Sequence, residues 1–479
     1  MNEDIKKGFF AFIPVLVLVC FLTIVIRLYG SDALSGGSQT ALLLASGVCF
    51  LLARLKNGKQ VFADYEQVIC DNIGKIGSAI IILIFIGALS GVWMVSGIVP
   101  ELIYYGIHII NPNLFLICTC VICAIVSLMV GSSWTTIATV GVALIGIGEA
   151  LGFSHGWIAG AIISGAYFGD KMSPLSDTTV LAASMSDVPL FKHIRYMMIT
   201  TVPAVIICLL VFGIVGITHE PSTVAQVGEY TEVLDKTFNL SPWLMLVPVL
   251  TGLLIYRKMP SIMVLFLSTL MGAIAAVIFQ PEVLTQISGL ETTSAESILR
   301  GVLQSIYTST NIDSGNATIN DLISSRGMAG MLDTIWLILC AMCFGGCMSA
   351  SGMLEDMGKL LTAFTRKRTS LVASTVATGI CMNCTVADQF LSIILTSNIF
   401  KKMYTSQGYE GRLMSRAIED SATATSPLIP WSTCGMTQSA ILGIPTMVYF
   451  PYCLFCIISP VMSITVAFLG YKIFQKKEV

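Results

Sequence analysis

The sequence predicts an all-α polytopic membrane protein built from two inverted repeats, with about ten transmembrane helices, two helical hairpins and one Pro-broken helix per repeat. Three observations predict this fold class. The composition is too apolar for a soluble protein, the basic residues form groups between apolar segments, and short motifs recur in the same order in the two halves of the chain.

The composition identifies a membrane protein. Only 11% of the 479 residues are charged, under half the usual quarter, and 55% are hydrophobic. Apolar stretches are therefore long enough to cross a bilayer, which takes about 20 residues each. A net charge of −2 and four scattered histidines provide neither a basic surface for nucleic acid nor a cluster of metal ligands. We therefore expect a lipid-embedded protein that is not an enzyme and does not bind nucleic acid.

The basic residues predict the topology, because lysine and arginine concentrate in cytoplasmic loops. The groups are Lys6/Lys7, Arg54/Lys56/Lys59/Lys75, Lys192/Arg195, Arg257/Lys258, Arg366/Lys367/Arg368, Lys401/Lys402/Arg412/Arg416 and Lys472/Lys476/Lys477. They share one side of the membrane only if segments 113–148 and 370–400 return to the side from which they entered. Both segments are therefore expected to be helical hairpins, both termini are placed in the cytoplasm, and the acidic loops 218–241 and 281–330 are placed outside.

The chain also repeats itself. Ser173-Pro174-Leu175 recurs in the second half as Ser426-Pro427-Leu428, and Ser96-Gly97 recurs at nearly the same spacing as Ser351-Gly352. Equivalent spans run in opposite directions in the predicted topology, which is typical of secondary transporters. The expected boundaries are 1–217 for the first repeat, with hairpin 113–148 and broken helix 156–186, then loop 218–241, then 242–479 for the second repeat, with loop 281–330, hairpin 370–400 and broken helix 413–445.

Each half contains two polar interruptions at a depth where the bilayer should exclude them. The hairpins turn at Gly131–Thr136 and at Met382–Asp388, and the long spans are interrupted at 169–179 and 419–433. Prolines within the last two segments remove backbone donors and break the helix. Unpaired backbone groups survive at this depth only where they line a cavity or an ion site. The four broken elements are therefore expected to meet near the midplane.

Oxygen ligands in these segments indicate what is transported. Five carboxylates lie inside apolar spans, where each costs about 3 kcal/mol or more, so they are candidate functional residues: Asp170, Asp177, Asp388, Glu419 and Asp420. Further oxygen ligands for a hard cation come from Ser132, Ser133, Thr178, Thr385 and Asn383. A carboxylate that titrates near neutral pH can hold Na⁺ or H⁺ but not both, which is sufficient for antiport. Lys171, beside Asp170, is a candidate salt-bridge partner that keeps one of the acids ionised. For Asp420 a helix cap or a pair with Arg416 stays open.

Three motifs resemble those of NhaC-type sodium/proton antiporters, in the ion transporter superfamily. They are Gly-Asp-Lys-Met-Ser-Pro-Leu-Ser-Asp-Thr-Thr (169–179), Ala387-Asp388-Gln389, and Glu419-Asp420-Ser421 leading to Ser-Pro-Leu-Ile-Pro-Trp (426–431). The resemblance implies an inverted-repeat fold, often homodimeric, and these site residues: Asp170, Ser173, Asp177 and Thr178 in the first half, and Asn383, Thr385, Asp388, Glu419, Asp420, Ser426 and Thr433 in the second. Ala422 and Ser432 depart from the family pattern, which has Gly and Asn there.

The expected function is exchange of Na⁺ for H⁺ across the cytoplasmic membrane, with Asp170, Asp177 and Asp388 as Na⁺ ligands and no resident cofactor. The alternative is a Na⁺- or H⁺-coupled carrier of a small organic acid or amino acid, since relatives of the family resemble malate/lactate antiporters. No arginine is expected in the core, because Arg300 and Arg326 fall in a loop, and this favours a cation. An intramembrane aspartyl protease is disfavoured because Tyr167-Phe168-Gly169 precedes Asp170, so the first glycine of the Gly-x-Gly-Asp signature is missing.

Overall fold

The computed structural model describes residues 3–29, 36–57, 62–218, 224–257, 259–315, 323–362 and 368–472, together with residues 320 and 365. Nearly all of these residues are helical, and the strand-like pairing among them is limited to one bridge between Thr310 and Ser325. Within these ranges nine helices are long and apolar enough to cross a membrane, or up to eleven if each of two bent helix pairs is one span. An all-α, multi-pass protein is therefore confirmed, whereas the inverted repeat and the number of spans stay predictions.

The helices before residue 219 include both polar interruptions of the first half. In chain order they are α1 (Glu3–Ala11), α2 (Ile13–Tyr29), α3 (Gly37–Asn57), α4 (Phe62–Lys75), α5 (Gly77–Val95), α6 (Ile98–Ile109), α7 (Phe115–Val130), α8 (Ser133–Thr136), α9 (Val142–Ala150), α10 (His155–Met172), α11 (Asp177–Met185) and α12 (Leu190–Thr218). A π-helical turn, Ile137–Gly141, joins α8 to α9.

The helices after residue 223 include both polar interruptions of the second half. They are α13 (Val224–Thr237), α14 (Leu246–Tyr256), α15 (Ser261–Phe279), α16 (Pro281–Ser288), α17 (Ala295–Tyr307), α18 (Leu332–Ala350), α19 (Met353–Thr362), α20 (Arg368–Val386), α21 (Gln389–Ser406), α22 (Gly411–Ile418), α23 (Thr433–Leu442), α24 (Thr446–Tyr449) and α25 (Leu454–Leu469). A π-helical segment, Glu419–Thr423, continues α22 into the second interruption.

The two polar segments expected as loops contain helices. Segment 218–241 includes α13, and segment 281–330 includes α16 and α17. Ser294 caps α17 by accepting a hydrogen bond from the amide of Ser297, and the two residues form a reciprocal capping box. Gly91 of α5 lies against the carbonyl of Ser305, so α17 packs directly on a long apolar helix. These helices are short and amphipathic, which is why hydropathy alone does not separate them from a loop.

Two glycines set the position of the first broken helix. Gly165 and Gly169 of α10 lie against the backbone carbonyls of Cys120 and Ala124 in α7, where any Cβ atom would clash. The backbones of α7 and α10 therefore approach closely, as small residues allow in membrane proteins. This contact places the last turn of α10, with Asp170, beside the hairpin turn that follows α7.

Parts of the predicted topology lie outside the described residues. Among the basic groups these are Lys59, Lys258, Arg366, Lys367, Lys476 and Lys477. In the acidic segments 218–241 and 281–330 they are Glu220 and Asp321.

Candidate functional site

A cavity of about 480 Å³ lies at the interruptions of the first half. The hairpin turn after α7 and the break between α10 and α11 line it, together with residues of α5, α14, α15 and the start of α21. Both breaks have local causes: Gly131 ends α7 with a positive φ of 70°, and Pro174 follows α10. Ser132 then caps α8, accepting from the amide of Thr135 at 3.2 Å.

Two of the predicted carboxylates line this cavity together. Asp170 is buried and accepts hydrogen bonds from the amide of Ser133 at 3.2 Å and from its hydroxyl at 2.8 Å. Asp177, the first residue of α11, is exposed and lines the same cavity. No lysine, arginine or histidine is among the described residues that line it. The cavity therefore brings two carboxyl groups together, with no cationic side chain among the described residues of its wall.

The second hairpin turn contributes Gln389 to the cavity, and not the predicted residue Asp388. Asp388 caps α21, accepting from the amide of Leu391 at 2.9 Å and from the hydroxyl of Thr433 at 3.3 Å. It is buried and does not line the cavity, but Gln389 does. The side chain of Ser426 donates to Gln389 at 3.3 Å, which links the two interruptions of the second half.

A buried ion pair connects the first broken helix to the second. The ammonium of Lys171 bonds Asp420, and Asp420 also accepts from the hydroxyls of Thr200 at 3.2 Å and Ser459 at 3.0 Å. Both charged side chains are fully buried. Of the alternatives open for Asp420, a pair with Arg416 is therefore excluded in this structure, and the salt-bridge partner is Lys171.

Two other ionisable side chains of the second half are buried and have no hydrogen-bond partner among the described residues. Neither carboxylate oxygen of Glu419 has a partner in the described part of the chain. Arg416 is fully buried, its guanidinium lies 4.8 Å from the centre of the Tyr196 ring, and none of its nitrogens has a hydrogen-bond partner there. The expectation of a core without arginine was wrong, because Arg416 belongs to a basic group at the end of a span and was assigned to the cytoplasmic loop.

The remaining predicted residues bond mainly to nearby backbone. Ser173 donates to the carbonyl of Leu128 at 2.8 Å, which ties the end of α10 to α7. Thr385 donates to carbonyls of its own helix, so its hydroxyl is occupied. Asn383 donates to the carbonyl of Ala422 at 2.6 Å. Thr178 pairs with the hydroxyl of Ser176 at 3.0 Å and lines the cavity.

Several residues of this region were missed at the sequence level. Gln389 and Ser176 lie inside the recognised motifs, so their proximity to Asp388 and Asp177 was an available signal. Thr200 and Ser459 lie in ordinary apolar helices, and only the packing of α12 and α25 brings them to Asp420.

Comparison with known proteins places the chain among transporters. The model of the Na⁺/H⁺ antiporter family matches residues 6–166 and 165–471. The Na⁺/H⁺ antiporter NhaC of Alkalihalophilus pseudofirmus is 35% identical over 88% of this chain and 89% of its own length. The NhaC of Bacillus subtilis is 34% identical over 84% and 86%. The malate-2H⁺/Na⁺-lactate antiporter of Bacillus subtilis is 34% identical over 87% and 86%.

Proposed function

The chain belongs to the Na⁺/H⁺ antiporter family, and we propose from this membership and from its acidic cavity that it exchanges Na⁺ for H⁺ across the cytoplasmic membrane by alternating access. The resemblance to NhaC-type antiporters is confirmed. The observation that carries the proposal is the cavity that Asp170 and Asp177 both line, with no cationic side chain among the described residues of its wall.

Na⁺ and H⁺ compete for the carboxylates in this proposal. Hard monovalent cations prefer oxygen ligands, and the cavity offers carboxylates together with the hydroxyls of Ser132 and Ser133. Protonation of Asp170 or Asp177 removes the charge that Na⁺ needs, so one site serves both ions in turn. Asp388 is the proposed ligand from the second half, which requires its hairpin turn to move towards the cavity. No resident cofactor takes part.

Alternating access is attributed to the two inverted repeats, 1–217 and 242–479. Similar hairpin turns support this assignment. Gly131 and Ala387 both have a positive φ, of 70° and 57°, and each precedes a residue that caps the next helix, Ser132 or Asp388. A non-glycine residue rarely adopts this conformation, so the turn at Ala387 is held by its surroundings. We further propose that both termini are cytoplasmic and that the protein forms a homodimer.

An organic-acid carrier is the second candidate, because one relative is a malate/lactate antiporter. The cavity favours Na⁺ over a carboxylate substrate. An organic anion would face Asp170 and Asp177 with no cationic side chain on the described wall, and the buried Arg416 is not among the residues that line it.

The deciding experiment uses purified protein in proteoliposomes with an imposed Na⁺ gradient and a pH-sensitive dye inside. We expect Na⁺ entry to drive proton exit without added organic acid. Proton movement that depends on malate or lactate would replace the proposal with the second candidate.

A further inference from the structure

The cavity is larger than a bare Na⁺ ion requires. Hard cations of this size bind oxygen ligands at about 2.5 Å or less, which leaves no space between ion and ligands. A volume of about 480 Å³ instead lies in the range of small-molecule pockets, about 300–1,000 Å³. Na⁺ in this conformation would keep water around it, and the same volume would hold a small organic molecule.

Part of the cavity lining is apolar. Ile82 of α5, Ile255 of α14 and Val264 of α15 line it, together with Met259 between the last two helices. A hydrated Na⁺ ion gains no binding free energy from contact with these apolar side chains. An alkyl chain does, because each buried methylene improves binding by about fourfold.

The polar residues of the cavity lining determine which charge a bound ligand can carry. Asp170 and Asp177 supply carboxylate acceptors, and an ammonium group has three N–H donors to match them. Trp134 and Phe390 also line the cavity, and aromatic rings attract cations. Anions are disfavoured by the carboxylates, and neutral molecules lack the ionic contact.

We propose that this cavity binds small primary alkylammonium ions in competition with Na⁺, with the ammonium at the carboxylates and the alkyl chain against the Ile82 wall. The proposal rests on the proposed function, because it assigns cation binding to the same two aspartates. It extends the class of ligands from inorganic cations to amphipathic organic ones.

The test is displacement of ²²Na⁺ from protein in lipid nanodiscs by methyl-, ethyl-, propyl- and butylammonium at one pH and ionic strength. We expect the inhibition constant to fall by about fourfold per added carbon. Butanol, which has the chain but no charge, should not displace Na⁺. A constant inhibition constant along the series, or displacement by butanol, would overturn the proposal.

A matched pair of variants separates the cavity wall from lipid. Ile82→Ser should reduce the gain per methylene, whereas Ile81→Ser, on the same helix but 44% exposed and outside the cavity, should retain it. If the affinity gained per methylene were the same in both variants, the alkyl chain would lie in lipid and the assignment to the cavity would be refuted. Undetectable ²²Na⁺ binding would instead remove the proposed function, whereas intact Na⁺ binding without a chain-length effect removes only this inference.

Discussion

The buried pair between Lys171 and Asp420 allows a quantitative prediction. Both side chains are fully buried, and removing one partner of such a pair leaves an uncompensated charge, which costs about 3–5 kcal/mol. Lys171→Met leaves the carboxylate with two hydroxyl donors, from Thr200 and Ser459. We expect it to lower the free energy of unfolding by an amount near the lower end of this range, about 3 kcal/mol.

Replacing Asp420 should lower the free energy of unfolding more than replacing Lys171 does. Asp420→Leu leaves the ammonium of Lys171 with one acceptor among the described residues, the hydroxyl of Ser459 at 2.9 Å. Its cost should approach about 5 kcal/mol. The double variant, Lys171→Met with Asp420→Leu, removes both charges, so it should cost less than either single variant, because apolar replacement of a buried pair is often neutral.

Reversible unfolding in mixed detergent micelles, followed by tryptophan fluorescence, measures these differences. Lys359→Met is the control, since Lys359 is 57% exposed and its nitrogen lies 3.6 Å from Asp356, a geometry worth less than about 1 kcal/mol. The reasoning fails if Lys171→Met costs no more than this control. It also fails if the double variant costs the sum of the single variants.

Three further predictions concern transport and topology. Asp170→Asn and Asp177→Asn should each abolish Na⁺-driven proton movement in proteoliposomes while the protein still folds, and exchange at the wild-type rate in both would remove the site. Apparent Na⁺ affinity, measured from solid-supported-membrane currents, should weaken by up to about tenfold for each pH unit below the apparent pKa of the site, because protonation removes the charge that binds Na⁺. A Na⁺ affinity that is independent of pH but strengthened by malate or lactate would indicate symport. An impermeant cysteine reagent should reach positions in 281–330 from outside and positions in 401–412 from inside only, and labelling of 401–412 from outside in sealed cells would contradict the second hairpin.

The sequence by itself determined the class of the protein and the places where its helices break. Apolar length is a local property, so the membrane spans can be recognised without knowing their neighbours. Backbone chemistry is equally local, because Gly131 permits the positive φ at the end of α7 and Pro174 cannot continue α10. The cost of a charge in the bilayer identified Asp170 and Asp177 as candidates before any contact was known.

Only the tertiary structure decided which of these groups meet. Lys171 and Asp420 are separated by 249 residues, and their pairing depends on how the end of α10 packs beside the π-helical segment after α22. The burial of Arg416 and the entry of Gln389 into the cavity depend on the same packing. Hydropathy averages over a whole span and does not specify which face of a helix is covered. Side-chain pairing between distant helices therefore follows from their crossing geometry, which no local pattern in the sequence contains.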